Sequence, residues 1–242
     1  KCETFEAYRS SKTIEMKLLL LSNSSLPGQA YFEWPKEIVS NFLSGISKAA
    51  FVPYAAVSFS YDEYEAAVQK PFSAMGIDIR SVHHADNPAE EIANAECILV
   101  GGGNTFHLVS KLYELNLIEA IRSRTNEGIP YVGWSAGSNV CCPTLFTTND
   151  MPIVQPPSFQ TLDLIDWQIN PHYTEKTIDG HGGESRLDRL KEYIAINDTP
   201  VLCLPEGCAL KVDEQGKELI SPEPVKLLKS GGEIEMIAPG RI

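Results

Sequence analysis

The feature that most constrains the fold is the alternation of short, continuously apolar runs with amphipathic stretches over the first two thirds of the chain. Lys17–Ser22, with its four consecutive leucines, and Cys97–Val100 are too short for typical helices. Their apolar residues follow one another without alternation, which predicts strands buried on both faces. The stretches between them, such as Tyr61–Ala74, have the apolar spacing of amphipathic helices. This order predicts an α/β fold, a three-layer sandwich in which a mostly parallel sheet lies between helices.

The individual elements follow from these patterns and from proline and glycine positions. Predicted strands are Lys17–Ser22, Ala50–Tyr54, Ile77–Val82, Cys97–Val100 and Pro130–Trp134. Predicted helices are Pro35–Ser47, Tyr61–Ala74 with a bend at Pro71, one that starts near Pro88, Thr105–Tyr113 and Leu117–Asn126, which Gly128 ends. Beyond Gly207, Ala209–Val212, Val225–Leu228 and Ile234–Ile237 are predicted as antiparallel strands at the edge of the same sheet.

The domain organisation follows from length and from the polar N-terminus. A chain of 242 residues is long enough for one domain with a sizeable core. Residues 1–15 are polar, mixed in charge and without the apolar segment of a secretion signal, so we expect a loosely ordered extension there. Packing of these residues as an edge element is the alternative. Residues 16–242 are predicted to form a single α/β domain.

The charge and the cysteines restrict partners and compartment. A formal net charge of −12 disfavours nucleic acid and anionic membranes as partners, and an anionic substrate would need a local cation. No apolar run is long enough to span a membrane. The cysteines lack the paired spacing of a zinc site, and five lie in or beside apolar runs: Cys97, Cys141, Cys142, Cys203 and Cys208. Buried free thiols predict a reducing, cytoplasmic location.

The pentapeptide Gly133-Trp134-Ser135-Ala136-Gly137 fits the pattern G-x-S-x-G, between a predicted strand and a helical stretch. A serine on such a turn exposes its hydroxyl at the carboxyl end of the sheet, so Ser135 is the candidate nucleophile. The N–H of Ala136 then points toward a developing oxyanion. The alternative is a tight turn in which the glycines serve packing alone.

A second glycine-rich turn, Gly101-Gly102-Gly103-Asn104, follows the Cys97–Val100 strand. A phosphate cradle is one interpretation of this turn, but the glycine spacing fits neither G-x-G-x-x-G nor the P-loop pattern. We expect the loop to approach a neighbouring strand end and to supply a second oxyanion N–H, from Gly103. A plain strand–helix turn is the competing interpretation.

A serine nucleophile needs a base, and five histidines are available. His172 follows a strand and lies next to Pro171, where a side chain can be held rigidly, so it is the preferred base. His181 in a glycine-rich stretch is second. His83 and His84 are expected to face solvent, and His107 is expected to be a surface or packing residue.

The acid that orients the base is less well defined by sequence. Glu206 directly follows the strand Val201–Leu204 and thus projects from the same sheet edge as Ser135. Asp150 is an alternative acid, which would give the order Ser, Asp, His along the chain, as in the α/β-hydrolases. Glu175 is another, three residues after His172. Spacing alone favours Glu206 only modestly.

Together these segments resemble peptidase E, the α-aspartyl dipeptidases, from about Met16 to the C-terminus. The segments that carry the resemblance are Leu20–Ser24, Gly101–Phe106, Gly133–Gly137, Thr147–Pro152, Gln168–His172 and Leu204–Gly207. The resemblance implies a fold like the class I glutamine amidotransferases, which is flavodoxin-like, and a triad of Ser135, His172 and Glu206. It also implies hydrolysis of small peptides, mainly dipeptides, with N-terminal aspartate, without a metal or other cofactor.

The resemblance also suggests where the substrate aspartate binds. Gly183–Arg186 matches a family segment whose arginine is thought to bind the aspartyl side chain, and a guanidinium grips a carboxylate through two parallel hydrogen bonds. Arg186 is therefore the candidate specificity residue, against the alternative of a surface ion pair with Glu184 or Asp188. Asn104, Glu184 and His181 are further candidates for substrate contacts.

Three alternative functions remain at this stage. One is a cyanophycinase-like hydrolase that acts on other aspartyl material. Another is a non-catalytic binding protein on the same scaffold. A lipase or esterase is the third, and an arginine for acidic substrates argues against it.

Overall fold

The computed structural model describes residues 16–176 and 182–242, so the predicted extension 1–15 and His181 lie outside the described residues. The strands are β1 (Leu18–Leu21), β2 (Lys48–Val52), β3 (Asp78–Ser81), β4 (Ile98–Val100), β5 (Tyr131–Trp134), β6 (Gln168–Tyr173), β7 (Val201–Pro205), β8 (Ala209–Asp213), β9 (Gly216–Ile220), β10 (Val225–Leu228), β11 (Ile234–Ile237) and β12 (Gly240–Arg241). The helices are α1 (Lys36–Phe42), α2 (Tyr61–Ser73), α3 (Pro88–Ala93), α4 (Thr105–Glu114), α5 (Leu117–Asn126), α6 (Ala136–Asn139) and α7 (Arg186–Ile196).

An eight-stranded sheet, in the order β12-β9-β8-β1-β5-β4-β2-β3, forms the centre of the fold. Its strands β1 to β5 are mutually parallel, whereas β8, β9 and β12 extend it with antiparallel pairs. The carboxyl ends of β1, β4 and β5 therefore meet at one edge of the sheet, where α/β proteins place their ligand sites. The predicted α/β class with antiparallel edge strands is confirmed.

Both faces of this sheet are buried, which explains why its strands are apolar without alternation. All four residues of β1 are fully buried. Leu18 and Leu20 pack into one apolar cluster, and Leu19 and Leu21 pack into another on the opposite face. Because successive side chains of a strand point to opposite faces, helices must cover both sides.

A second sheet, in the order β11-β10-β7-β6, was not expected from the sequence. Strands β6 and β7 are parallel, and β10 and β11 add to β7 as antiparallel strands. Val225–Leu228 and Ile234–Ile237 were predicted correctly as strands, but the prediction that they extend the first sheet was wrong. Pairing between distant strands depends on long-range packing, which the local apolar pattern does not specify.

The helices follow the predicted order with small changes at their ends. Helix α1 stops at Phe42 rather than Ser47, because the chain turns at Gly45, which has a φ of 86°. Helix α2 continues through Pro71 to Ser73 and begins with a capping box between Ser60 and Glu63.

Two further observations concern compartment and membrane. The described cysteines are all buried free thiols. Burial raises the pKa of the Cys142 thiol to about 12, so it stays protonated and unreactive. Among the helices of residues 16–176 and 182–242, none is long and apolar enough to cross a bilayer.

Candidate active site

Ser135 lies on the sharp turn between β5 and α6. Its φ of 53° and ψ of −112° fall in a region that non-glycine residues seldom adopt. The surrounding backbone fixes this conformation, because the Ser135 N–H donates to the Leu21 carbonyl at 3.1 Å and the Ser135 carbonyl accepts from the N–H groups of Ser138 and Asn139. The turn thus holds the hydroxyl at the carboxyl edge of the large sheet.

The two glycines of the pentapeptide are required by close backbone approaches. A Cβ atom at Gly137 would overlap the carbonyl of Val100 at the end of β4, and one at Gly133 would overlap the carbonyl of Gly137. These positions therefore accept only glycine without a shift of the backbone. The packing interpretation of the glycines is thus correct, and it is compatible with the catalytic one.

His172 lies at an irregularity of β6. Asn170 pairs with Cys203 of β7, whereas Tyr173 pairs with Pro205, so β6 contains one extra residue between these pairs. Such a bulge redirects side chains, and here His172 has a φ of 53°. Its Nε2 lies 2.9 Å from the Ser135 Oγ. His172 is the residue that the sequence analysis prefers as the base, whereas the bulge that turns its ring toward Ser135 was not predicted.

Glu206 follows β7 directly, as the sequence predicted. Its Oε1 lies 3.1 Å from the His172 Nδ1. The next residue, Gly207, has a φ of 76° and donates its N–H to the Asn23 Oδ1 at 2.9 Å, which fixes the turn that carries the carboxylate. The side chains of His172 and Glu206 are 37% and 47% exposed, so substrate and water can reach the site.

The two other candidate acids are engaged elsewhere. Asp150 accepts hydrogen bonds from the N–H and hydroxyl of Thr105 at the start of α4, at 2.7 and 2.6 Å. Glu175 pairs with Lys226 of β10 and accepts from the Tyr173 hydroxyl. The alternatives of Asp150 or Glu175 as orienting acid therefore lack the geometry that Glu206 has.

The Gly101–Gly103 loop lies directly against the serine turn. A Cβ at Gly102 would lie 3.0 Å from the Ser135 Cβ, and one at Gly103 would overlap the carbonyl of Ala55. Gly103 has a φ of 141°, which favours glycine. Within the part of the chain that the structure describes, the N–H groups of Gly103 and Ala136 have no hydrogen-bond acceptor. Both are therefore free to bind an oxyanion.

A cleft of about 460 Å³ opens beside the imidazole. Its walls are formed by His172, Tyr173, Thr174, Lys176, Arg186 and Glu206. Arg186 is the first residue of α7, and its Nη1 donates to the Pro171 carbonyl at 3.4 Å. Burial, with a smaller contribution from Arg189, lowers the pKa of Arg186, and the carboxylates of Glu206 and Asp150 partly oppose this. The cleft thus places a partly desolvated cation near His172 and Glu206.

The comparisons with known proteins agree with this geometry. The family described as Peptidase family S51 matches residues 18–220. Peptidase E of Nostoc sp. is 45% identical over 225 residues, which cover 92% of this chain and 93% of that protein. Peptidase E of Haemophilus influenzae is 48% identical over 198 residues, covering 81% and 91%.

The chain belongs to peptidase family S51. The predicted peptidase E resemblance and the prediction of a serine peptidase are confirmed. Two solved structures share the fold: a peptidase from an acI-B1 actinobacterium has a TM-score of 0.65 at 18% identity, covering 94% of this chain and 97% of that one. A putative peptidase E protein from Listeria monocytogenes has a TM-score of 0.60 at 19% identity, covering 92% and 98%.

Other predicted contacts of this S51 peptidase lie away from the cleft. The Asn104 side chain caps α4 by accepting from the His107 N–H at 3.0 Å, and it donates to the Met151 carbonyl at 2.9 Å. Glu184 is exposed and lies 4.0 Å from Arg189. Neither residue is among those that line the cleft, and a substrate contact of either residue stays a prediction. His107 has a packing role, with its Nδ1 2.7 Å from the Tyr54 carbonyl.

The expectation that His83 faces solvent was wrong. Its side chain is only 14% exposed, because the ring packs edge-on against Tyr61 and contacts Ser81 and Asp62. His84 is half exposed, as expected.

Sequence reasoning missed several residues of the site. Ser22 is fully buried; it accepts from the His172 N–H at 2.8 Å and donates to the Leu204 carbonyl at 2.9 Å. The sequence signal that could have pointed to Ser22 is its position, next to Asn23, directly after an apolar strand. Lys176 adds a second cation to the cleft, four residues after His172.

Proposed function

We propose that this S51 peptidase hydrolyses dipeptides with N-terminal aspartate through an acyl-enzyme on Ser135. The observation that carries the proposal is the continuous hydrogen-bonded series from Ser135 Oγ to His172 and on to Glu206, at 2.9 and 3.1 Å. A serine hydroxyl within reach of an imidazole that a carboxylate orients is the arrangement that makes an alcohol nucleophilic.

The steps follow from these positions. Ser135 Oγ attacks the carbonyl carbon after the N-terminal aspartate while His172 Nε2 takes the hydroxyl proton. The N–H groups of Gly103 and Ala136 stabilise the oxyanion of the tetrahedral intermediate. His172 then donates its proton to the leaving amine. Water then attacks the acyl-enzyme carbonyl while His172 Nε2 takes a proton from it, and the imidazolium returns this proton to Ser135 Oγ as aspartate leaves. Glu206 stabilises the imidazolium in each half-reaction.

Arg186 is proposed to bind the aspartyl carboxylate of the substrate. No described carboxylate lies within ion-pair distance of its guanidinium, and Glu184 and Asp188 instead contact Arg189 and Lys191. This favours substrate binding over the surface ion pair. Lys176 adds positive potential to the same cleft, which offsets the net charge of −12 locally. A cleft of about 460 Å³ suits a ligand of dipeptide size.

We also propose that the reaction takes place in the cytoplasm. Buried free thiols at the described cysteines suit a reducing compartment, where disulfides are rare.

The decisive experiment is a panel of Asp-X, Glu-X, Asn-X and X-Asp dipeptides tested with the wild type, Arg186→Ala and Arg189→Ala. Arg189 is the matched control, because it lies on the same helix but is exposed. We expect a strong preference of the wild type for Asp-X. In Arg186→Ala, kcat/KM for Asp-X falls about 10²-fold, as expected for loss of a desolvated charge pair, whereas Arg189→Ala retains wild-type values.

Three results contradict the proposal. One is equal turnover of Asp-X and Asn-X by the wild type, and another is an unchanged preference in Arg186→Ala. The third is turnover of a branched aspartyl-arginine polymer in preference to Asp-X, which points to a cyanophycinase-like activity instead.

A further inference from the structure

A cluster of two histidines and two carboxylates lies outside the catalytic site, where the start of α2 meets the turn after β3. It consists of Asp62 and Glu65 on the first turns of α2 and of His83 and His84 in a single 3₁₀ turn. One donor atom from each residue lies within 4.8 Å of all the others. We propose that this cluster, the α2–β3 cluster, is a binding site for a divalent transition-metal ion, Zn²⁺ in the first instance.

The distances suit a tetrahedral ion. Zn–N and Zn–O bonds of about 2.0–2.2 Å place neighbouring donor atoms about 3.3 Å apart. The Asp62 Oδ1 lies 3.0 Å from the His83 Nε2 and 3.4 Å from the His84 Nε2, and the Glu65 Oε2 lies 2.8 Å from the His84 Nε2. These three separations lie within about 0.5 Å of the tetrahedral value, and the remaining pairs of donor atoms lie within 4.8 Å of one another.

Neighbouring groups orient the donors in the way that metal sites require. The Ser81 Oγ lies 2.5 Å from the His83 Nδ1, so this nitrogen can donate its proton to the hydroxyl and leave the Nε2 lone pair free for a metal. The Ser81 N–H donates to the Glu65 Oε1 at 2.8 Å, which directs Oε2 toward His84. Ser81 thus fixes one ligand from each element.

The charges also favour a dication. Two carboxylates and two neutral imidazoles carry a charge of −2, which Zn²⁺ would neutralise. Mixed imidazole and carboxylate donors select Zn²⁺ over Mg²⁺ or Ca²⁺, which prefer oxygen ligands alone.

The site is accessible and separate from the triad. A cavity of about 430 Å³ borders Asp62 and His83 and offers an entry path. Strand β3 is the third strand from β5 in the large sheet, so the strands that lead to the cluster and to the serine turn are about 14 Å apart at the usual strand spacing. The ion would join α2 to the end of β3 and would take no part in the serine chemistry.

The test is Zn²⁺ binding by metal-free, chelator-treated protein, measured by calorimetry and by metal content after gel filtration. We expect one Zn²⁺ per chain and, at a hundredfold excess over the Kd, a Tm about 5 °C higher. His83→Gln and Asp62→Asn should abolish the binding and the Tm shift. Ser81→Ala should weaken binding about 10–100-fold.

The matched control is His172→Gln, which removes a histidine paired with a carboxylate in the proposed triad. It should bind Zn²⁺ like the wild type. Loss of binding in His172→Gln with retention in His83→Gln would assign the ion to the triad and overturn the proposal. Absence of stoichiometric binding by the wild type, or equal binding by every variant, overturns it as well.

Discussion

The buried hydroxyl of Ser22 accepts a hydrogen bond from the His172 N–H at 2.8 Å and donates one to the Leu204 carbonyl at 2.9 Å. Ser22 follows the last residue of β1, so one side chain of the large sheet joins the ends of β6 and β7 in the small sheet. These two strands carry the proposed base and lead to the proposed acid. Ser22 is therefore placed to position the imidazole relative to Ser135.

Ser22→Ala should lower kcat about 10–100-fold and leave KM within about twofold, because only the alignment of the base is lost. Ser22→Ala also removes the hydrogen-bond partner of the His172 N–H and of the Leu204 carbonyl. This loss lowers the free energy of unfolding by about 1–3 kcal/mol. Ser81→Ala is the control, since it removes another buried serine hydroxyl that touches a histidine outside the site. Ser22→Thr keeps the hydroxyl and should recover part of kcat. An equal loss of kcat in both alanine variants would indicate general destabilisation instead of positioning.

Ser135→Ala and Ser135→Gly should separate nucleophilicity from backbone strain. Both remove the hydroxyl, so turnover should fall by about 10³–10⁶-fold in each. Only glycine relieves the strained φ of 53° and ψ of −112°. The free energy of unfolding of Ser135→Gly should therefore exceed that of Ser135→Ala by about 1 kcal/mol or more, and its Tm should be higher. Steady-state kinetics and thermal melts measure the two effects. Near-full activity in either variant would end the assignment of Ser135 as nucleophile.

Glu206→Gln and Asp150→Asn should distinguish the orienting acid from a structural one. Glu206→Gln removes the charge that lies 3.1 Å from the His172 Nδ1, so kcat should fall about 10²–10⁴-fold with little change in Tm. Asp150→Asn weakens the bonds to Thr105 at the start of α4, so it should mainly lower Tm. The opposite pattern, with kcat lost only in Asp150→Asn, would reverse the two roles.

Asp213 at the end of β8 should make stability depend on pH. Hydrogen bonds from Arg241, with help from Lys211, hold the pKa of its carboxyl well below the ordinary value of about 3.9. Because the folded-state pKa is lowered, the contribution to stability is fully present above the unfolded-state value and is lost as pH falls through the folded-state value. At pH 7, Asp213→Asn should lower the free energy of unfolding by about 1–2 kcal/mol.

Thermal melts of Asp213→Asn and wild type between pH 7 and pH 2 check this expectation. The Tm difference should be roughly 3–6 °C at neutral pH and should shrink below about pH 4. Glu214→Gln removes an exposed neighbouring carboxylate and serves as the control. A Tm difference that stays constant down to pH 2 would contradict the linkage.

The sequence predicted those parts of the site that depend on local order along the chain. A strand, a glycine-flanked serine and a helix follow one another, so the turn at Ser135 could be recognised directly. Glu206 could be placed because it directly follows a strand, and parallel strands end at a common edge. His172 was chosen because a rigid proline-containing segment follows its strand, although the bulge that turns its ring toward Ser135 was not foreseen.

What the sequence did not predict depends on contacts between distant segments. Ser22 acts on residues 150 and 182 positions away, so no local pattern marks its role. The second sheet was missed for the same reason, because β10 pairs with β7 and not with the large sheet. His83 was wrongly expected to face solvent, since its burial comes from Tyr61 on a different element.

The division of the proposed triad between the two sheets has a consequence for inactivation. Ser135 directly follows β5 of the eight-stranded sheet, whereas His172 lies in β6 and Glu206 directly follows β7 of the smaller sheet. A slight loosening of the small sheet would separate nucleophile from base while the main core stays folded. Mild heat or denaturant should therefore abolish turnover reversibly before the spectroscopic signal of the helices decreases. Turnover is thus a more sensitive measure of the contact between the two sheets than spectroscopy is.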